Sequence, residues 1–301
     1  MFPMAHSLTT TGFVLTVLLA PTATTTTATP TMTVTTNVST APTATAHFTV
    51  NLQQSYTTAR SMGFTVFDVP GSTTNPADVK TKLAALPAGS RAMIWVGNLG
   101  NGASGFTRAQ FQAQVNALAT DPRVFGYYIA DEPHPILFPS VVAEIAARAD
   151  YLRARAPSQK SFIVVLDGTN ICKGGLGCEY AALAPAKSHV DVVGVDSYPC
   201  HLRAPCDFTM ITQRVNAAIL AGIPRGRIAP VYQAFGQEGA TNPYYRTPTA
   251  AELQTMLATW KANVPAPVLD YAYSWGTQTS APQALINHPA LQSVAKTHNS
   301  G

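Results

Sequence analysis

From residue 47 onward the chain alternates short apolar runs, polar or Gly/Pro breaks and helix-periodic segments, and the pattern occurs eight times. The apolar runs lie at 47–52, 64–69, 91–96, 124–131, 161–166, 190–195, 227–232 and 268–273. Helix-like segments follow them at about 53–62, 75–86 and 107–119, up to 155, from 179, and at about 208–221, 250–263 and 282–298. Apolar runs bounded by breakers read as strands buried on both faces, as in a parallel sheet. Eight such units, in the roughly 250 residues that a (β/α)8 barrel needs, predict an α/β fold: a single (β/α)8 TIM barrel. A doubly wound open sheet is the alternative. It would carry a glycine-rich phosphate loop after its first strand, and the chain has none there.

The fourth run ends abruptly, Val-Phe-Gly-Tyr-Tyr-Ile-Ala-Asp131-Glu132-Pro133-His134. Pro133 has no N–H to give to a ladder, so the strand should stop near Glu132 and leave that carboxylate at its C-terminal mouth. In barrels that mouth carries the chemistry. Of the fifteen acidic residues, six fall at or just past strand exits: Asp68, Asp131, Glu132, Asp167, Asp196 and Glu238. Trp95, Tyr198, Tyr232, Phe235 and Trp275 fall near the same end. Glycosidic cleavage needs a carboxylic acid to protonate the leaving oxygen, and usually a second carboxylate as nucleophile or base. Flat, amphipathic aromatic rings suit the C–H faces of pyranoses. Each aromatic could equally be a core residue whose polar tip reaches the rim. His134 is a candidate for a substrate hydroxyl, and Arg203 and Lys173 for anionic groups.

These residues resemble the large (β/α)8 glycoside hydrolase clan, clan A, whose fourth strand ends in an Asn-Glu-Pro-like motif. The resemblance puts Glu132 at the acid/base position. It likens 191–199, with Tyr198, to the clan's sixth strand, and Trp275 to the tryptophan that ends the eighth. Asp131 stands where the clan has Asn, and Gln233 where it carries its nucleophilic Glu. Three readings follow. The first is a hydrolase with Glu132 as general acid/base and Asp196 as the second carboxylate, with Asp68, Asp167, Tyr232 and Gln233 among the substrate contacts. The second is substrate-assisted cleavage, Asp131 steadying an N-acetyl group as in hexosaminidases. The third is a non-catalytic glycan-binding or wall-associated barrel, with Gln233 marking a lost nucleophile.

Composition narrows the setting. Only 11% of residues are charged and the net charge is +4, with no basic run to attract nucleic acid. Before Arg60 the chain has no Lys, Arg, Asp or Glu. Residues 12–20 form an apolar run of signal-peptide length, too short to span a bilayer. The expected organisation is therefore an export signal (1–23), a disordered Thr/Ala/Pro-rich linker (24–46) and the barrel (47–301). The linker has the composition of an O-glycosylated stalk and carries an N-glycosylation sequon at Asn37. Four cysteines in two close pairs, Cys172 with Cys178 and Cys200 with Cys206, suggest two disulfides, although three connectivities are open. Zinc, with His201 beside Cys200, is the rival, but the spacing matches no zinc signature. The chain is thus expected to be a secreted monomer, without cofactor or metal, acting on a poly- or oligosaccharide.

Overall fold

The computed structural model describes residues 44–97, 99, 105–168, 172 and 175–301. The export segment, nearly all of the linker, Asn37 and Lys173 lie outside the described residues. The strands are β1 (Ala46–Thr49), β2 (Val66–Pro70), β3 (Arg91–Trp95), β4 (Val124–Asp131), β5 (Lys160–Val165), β6 (Val192–Ser197), β7 (Ile228–Gln233), β8 (Phe235–Gly236), β9 (Leu269–Tyr273) and β10 (Gln283–Ala284). The helices are α1 (Tyr56–Ser61), α2 (Asp78–Ala84), α3 (Arg108–Leu118), α4 (Ser140–Arg155), α5 (Cys178–Leu183), α6 (Pro185–Ser188), α7 (Thr209–Leu220), α8 (Ala250–Asn263) and α9 (Pro289–Asn299). β1 to β7 and β9 form a closed parallel barrel, sealed where β1 pairs with β9. This is the TIM barrel that the eight alternations predict. Closure leaves no edge among the eight barrel strands.

Local chemistry sets the element ends. Thr107 with Gln110, and Thr249 with Glu252, form reciprocal capping boxes that start α3 and α8. Pro185 divides the helix expected after residue 179 into α5 and α6, since it opens a new helix more readily than it continues one. The last helix starts later than its sequence pattern suggests. Gln283 and Ala284 pair instead with Gly236 and Phe235 in the β8–β10 ribbon. The disulfides are Cys172–Cys178 and Cys200–Cys206, which pin the loops after β5 and β6.

Strand alternation sorts side chains into two layers. Phe48, Tyr128, Phe162 and Tyr271 meet inside the barrel with ring centroids 4.6–6.4 Å apart. Residues of the opposite parity, such as Val193, Val195 and Tyr232, pack outward under the helices with Trp260 and Trp275. Gly194 makes room for the inner layer. A Cβ there would lie 2.9 Å from Val164 Cγ2, 3.0 Å from Val231 Cγ2 and 3.2 Å from Phe162 Cε2. Gly194→Ala should therefore lower stability by about 1–3 kcal/mol in urea unfolding, the usual cost of overpacking a filled core.

Candidate active site

The C-terminal ends of the strands surround a cavity of about 190 Å³. Asp131 and Glu132 reach it from the end of β4, Tyr271 and Tyr273 from β9, Tyr198 from beyond β6, and Phe235 and Tyr245 from the loops after β7. The Glu132 N–H still donates to the Val164 carbonyl at 3.0 Å, but its φ is +45°. A left-handed glutamate directly before proline is strained on two counts, at about 1–3 kcal/mol. That turn ends the strand and sets Glu132 on the cavity wall.

Three carboxyl groups meet here. The Tyr128 hydroxyl donates to Asp131 at 2.5 Å. Burial, reinforced by the charge of Glu132, nevertheless raises Asp131 to about 6, with the Tyr128 bond pulling the other way. Asp196 is wholly buried beside Glu132 and Tyr198, and neither of its oxygens has a hydrogen bond of good geometry. Burial first, and then Glu132, push its carboxyl well above the usual range, which favours its neutral form. Arg214, whose guanidinium donates to the backbone carbonyls of Asp167 and Asp196 at 2.7 and 3.0 Å, lowers it less.

The phenols around them are held neutral. Burial and the neighbouring carboxylates raise Tyr198, Tyr271 and Tyr273, so each keeps its O–H to donate. Tyr198 lies roughly parallel to Tyr273 at 6.0 Å and edge-on to Phe235 at 4.9 Å. The site therefore combines acids, neutral donors and flat apolar faces.

Solved structures of similar shape share low sequence identity with this chain. A β-galactosidase from the psychrophilic Marinomonas ef1 superposes with a TM-score of 0.59 at 10% identity, over 85% of this chain and 59% of that one. A plant class V chitinase mutant from Cycas revoluta in complex with (GlcNAc)3 gives 0.55 at 13%, over 85% and 99%. A β-mannanase from Thermomonospora fusca gives 0.51 at 15%, over 78% and 79%. What the chain shares with these glycoside hydrolases is the fold, a (β/α)8 barrel. This chain spans about six-tenths of the galactosidase's length. No protein-family model matches the chain, and neither does any curated protein sequence.

Within this barrel the sequence-predicted residues divide. Asp131, Glu132, Asp196 and Tyr198 come together, and Trp95 stands edge-on to Tyr128 at 4.7 Å. His134 pairs with buried Glu179 at 3.1 Å, anchoring the loop that follows Glu132. Asp68 accepts the Asn51 N–H at 3.1 Å on the β1–β2 side and is raised to about 6 by burial.

Four expected substrate contacts need correction. Asp167 is buried and accepts backbone N–H groups from Gly168, Gly177 and Glu179, fixing the entry to α5. Tyr232 faces outward, because β7 turns Ala229 and Val231 to the interior and puts it on the other face. Trp275 is wholly buried against Phe64, and its indole donates to Ser55 Oγ at 2.6 Å. Gln233 is also sealed. Its NH2 faces the carbonyls of Arg246, Cys200 and Phe235 at 2.8, 3.1 and 3.4 Å, while its oxygen accepts from Cys200 N–H at 2.9 Å.

Outside the cavity, Glu238 ties Thr247 through N–H and hydroxyl bonds at 2.7 and 3.0 Å. Sequence reasoning missed Tyr128, Tyr245, Tyr271 and Tyr273 on the wall. For Tyr271 and Tyr273 the period-two spacing from Leu269 was the available signal.

Gln233 thus straps together the loops after β6 and β7. A glutamate there would face the same carbonyls with no amide protons to offer. Gln233→Glu should cost at least about 2 kcal/mol in unfolding experiments and confer no hydrolytic gain.

Proposed function

We propose that this chain hydrolyses glycosidic bonds in a poly- or oligosaccharide, with Glu132 as the general acid/base. The observation that carries the reading is the cavity itself, in which Glu132 and Asp131 stand among Tyr198, Tyr271, Tyr273 and Phe235. The rings offer flat faces to a pyranose and the neutral phenols offer donors to its hydroxyls. Glu132 then gives a proton to the leaving oxygen.

Asp196 takes a different part from the one its position in the sequence suggests. Retaining pairs stand about 5–5.5 Å apart and inverting pairs about 6.5–9.5 Å, so that a sugar carbon or a water fits between them. Asp196 lies directly beside Glu132, and its carboxyl is pushed well above the usual range by burial and by Glu132. It serves as a buried neighbour of Glu132 rather than as a nucleophile or base across the bond.

That leaves Asp131 as the second carboxyl on the cavity wall, oriented by Tyr128. As the chain neighbour of Glu132 it is poorly placed to attack from across a bond, which favours substrate-assisted cleavage. In that chemistry the substrate's 2-acetamido oxygen attacks the anomeric carbon as Glu132 protonates the leaving group, and Asp131 accepts the amide N–H. The alternative of a barrel that binds glycans without cleaving them loses its main support, since Gln233 is occupied as a structural strap. Two disulfides and the sparsely charged sequence support a secreted protein. Among the described residues no helix is long and apolar enough to cross a membrane.

The test is hydrolysis of a glycan panel that includes N-acetylated and plain hexose polymers, with Glu132→Gln beside the wild type. We expect turnover of N-acetylated glycans with retention of configuration, reduced at least about 100-fold in the variant. Turnover confined to plain hexose polymers would reject the substrate-assisted step. Binding without turnover by the wild type would reject the hydrolase.

A further inference from the structure

A second and larger cavity, about 620 Å³, lies between the barrel and the outer helices, towards the N-terminal ends of the strands. Three elements send side chains to it. His47 on β1 and Asp270 on β9 are register partners and face outward, since Phe48 and Tyr271 beside them face inward. His298 comes from α9. His47 Nδ1 lies 3.0 Å from each oxygen of Asp270, and His298 Nε2 lies 2.8 Å from Oδ2. The three donor atoms all fall within 4.8 Å of one another. Asp270 is almost fully buried, with 4% of its side chain exposed.

A second observation points to a ligand at this place. Tyr232 lines the same cavity, wholly buried, and its hydroxyl has no hydrogen-bond partner among the described residues. Its ring stands edge-on to His298 at 6.0 Å. An orphaned buried hydroxyl is costly unless something at the site accepts from it.

We propose that His47, Asp270 and His298 bind a divalent ion of the zinc class, with the fourth coordination position open to the cavity. Two imidazoles and a carboxylate are donors of the right softness and number for such a site. Metal–ligand bonds of about 2.0–2.2 Å put tetrahedral donor atoms about 3.3–3.6 Å apart, a few tenths of an ångström wider than the two histidine–aspartate contacts, so the ion would replace these hydrogen bonds. A water on the open position would supply the acceptor that Tyr232 lacks. The ion would staple α9 to the seam where the first and last barrel strands meet. The two other clusters of potential ligands among the described residues, at Asp167 and at Glu252, have their cysteines tied up in disulfides.

The experiment is zinc titration of the untagged, chelator-treated full chain by calorimetry, with metal content per chain and melting temperature measured alongside. One zinc per chain and a raised melting temperature are expected. His298→Gln keeps a donor to Asp270 but not the imidazole, and His47→Gln is the substitute if that variant fails to fold. Either should bind zinc at least about tenfold more weakly, while Glu132→Gln binds it as the wild type does. No stoichiometric zinc on the wild type would overturn the proposal. So would undiminished binding by the folded histidine variant, or binding lost in Glu132→Gln, which would place the ion at the mouth.

Discussion

Three carboxyl groups converge at one end of a barrel filled with aromatic rings, and this crowding governs the rest of the site. The nearby guanidinium of Arg214, which donates to the backbone carbonyls of Asp167 and Asp196, offsets this crowding only in part. Burial and mutual repulsion raise Asp196 well above the usual carboxylate range and Asp131 to about 6. Burial first, and then the same carboxylates, raise the surrounding phenols and keep them neutral. A site built this way has both proton donors and a low-dielectric wall, which is what protonation of a poor leaving oxygen requires.

The barrel supplies that crowding through geometry. β4 and β6 each carry an acidic residue to the same end, and the interior Tyr128, Phe162 and Tyr271 close the floor behind them. The left-handed backbone at Glu132 stops β4 where its carboxylate can meet both neighbours. Disulfides after β5 and β6, with the Gln233 strap, hold the loops that shape the rim. The strained backbone at Glu132 is thus held in place by ordinary packing around it.

Much of this was legible along the chain. Eight apolar runs separated by helical segments define the barrel, since a parallel strand buried on both faces cannot hide its composition. Asp131-Glu132-Pro133 reads as a strand exit because proline ends the ladder. The wall was harder to read. When both faces of a strand are buried, hydrophobicity no longer tells inside from outside, so Tyr232 and Tyr271 look alike until parity is fixed by a neighbour such as Phe48. Trp275 follows β9 but turns towards Ser55, a contact made across 220 residues. Gln233 sits at a nucleophile's place in the pattern, yet its partners come from loops that no local signal predicts. The His47, Asp270 and His298 cluster is invisible in sequence for the same reason.

The account rests most directly on the raised carboxyl of Asp196, which carbon-13 NMR of the aspartate carboxyl carbons reads as a function of pH. It predicts that Asp196 titrates well above the usual carboxylate range in the wild type. It predicts too that the pKa of Asp196 falls in Glu132→Gln, because Glu132 contributes to the upward shift. An Asp196 that ionises in the ordinary range near 4, with or without Glu132, would contradict it.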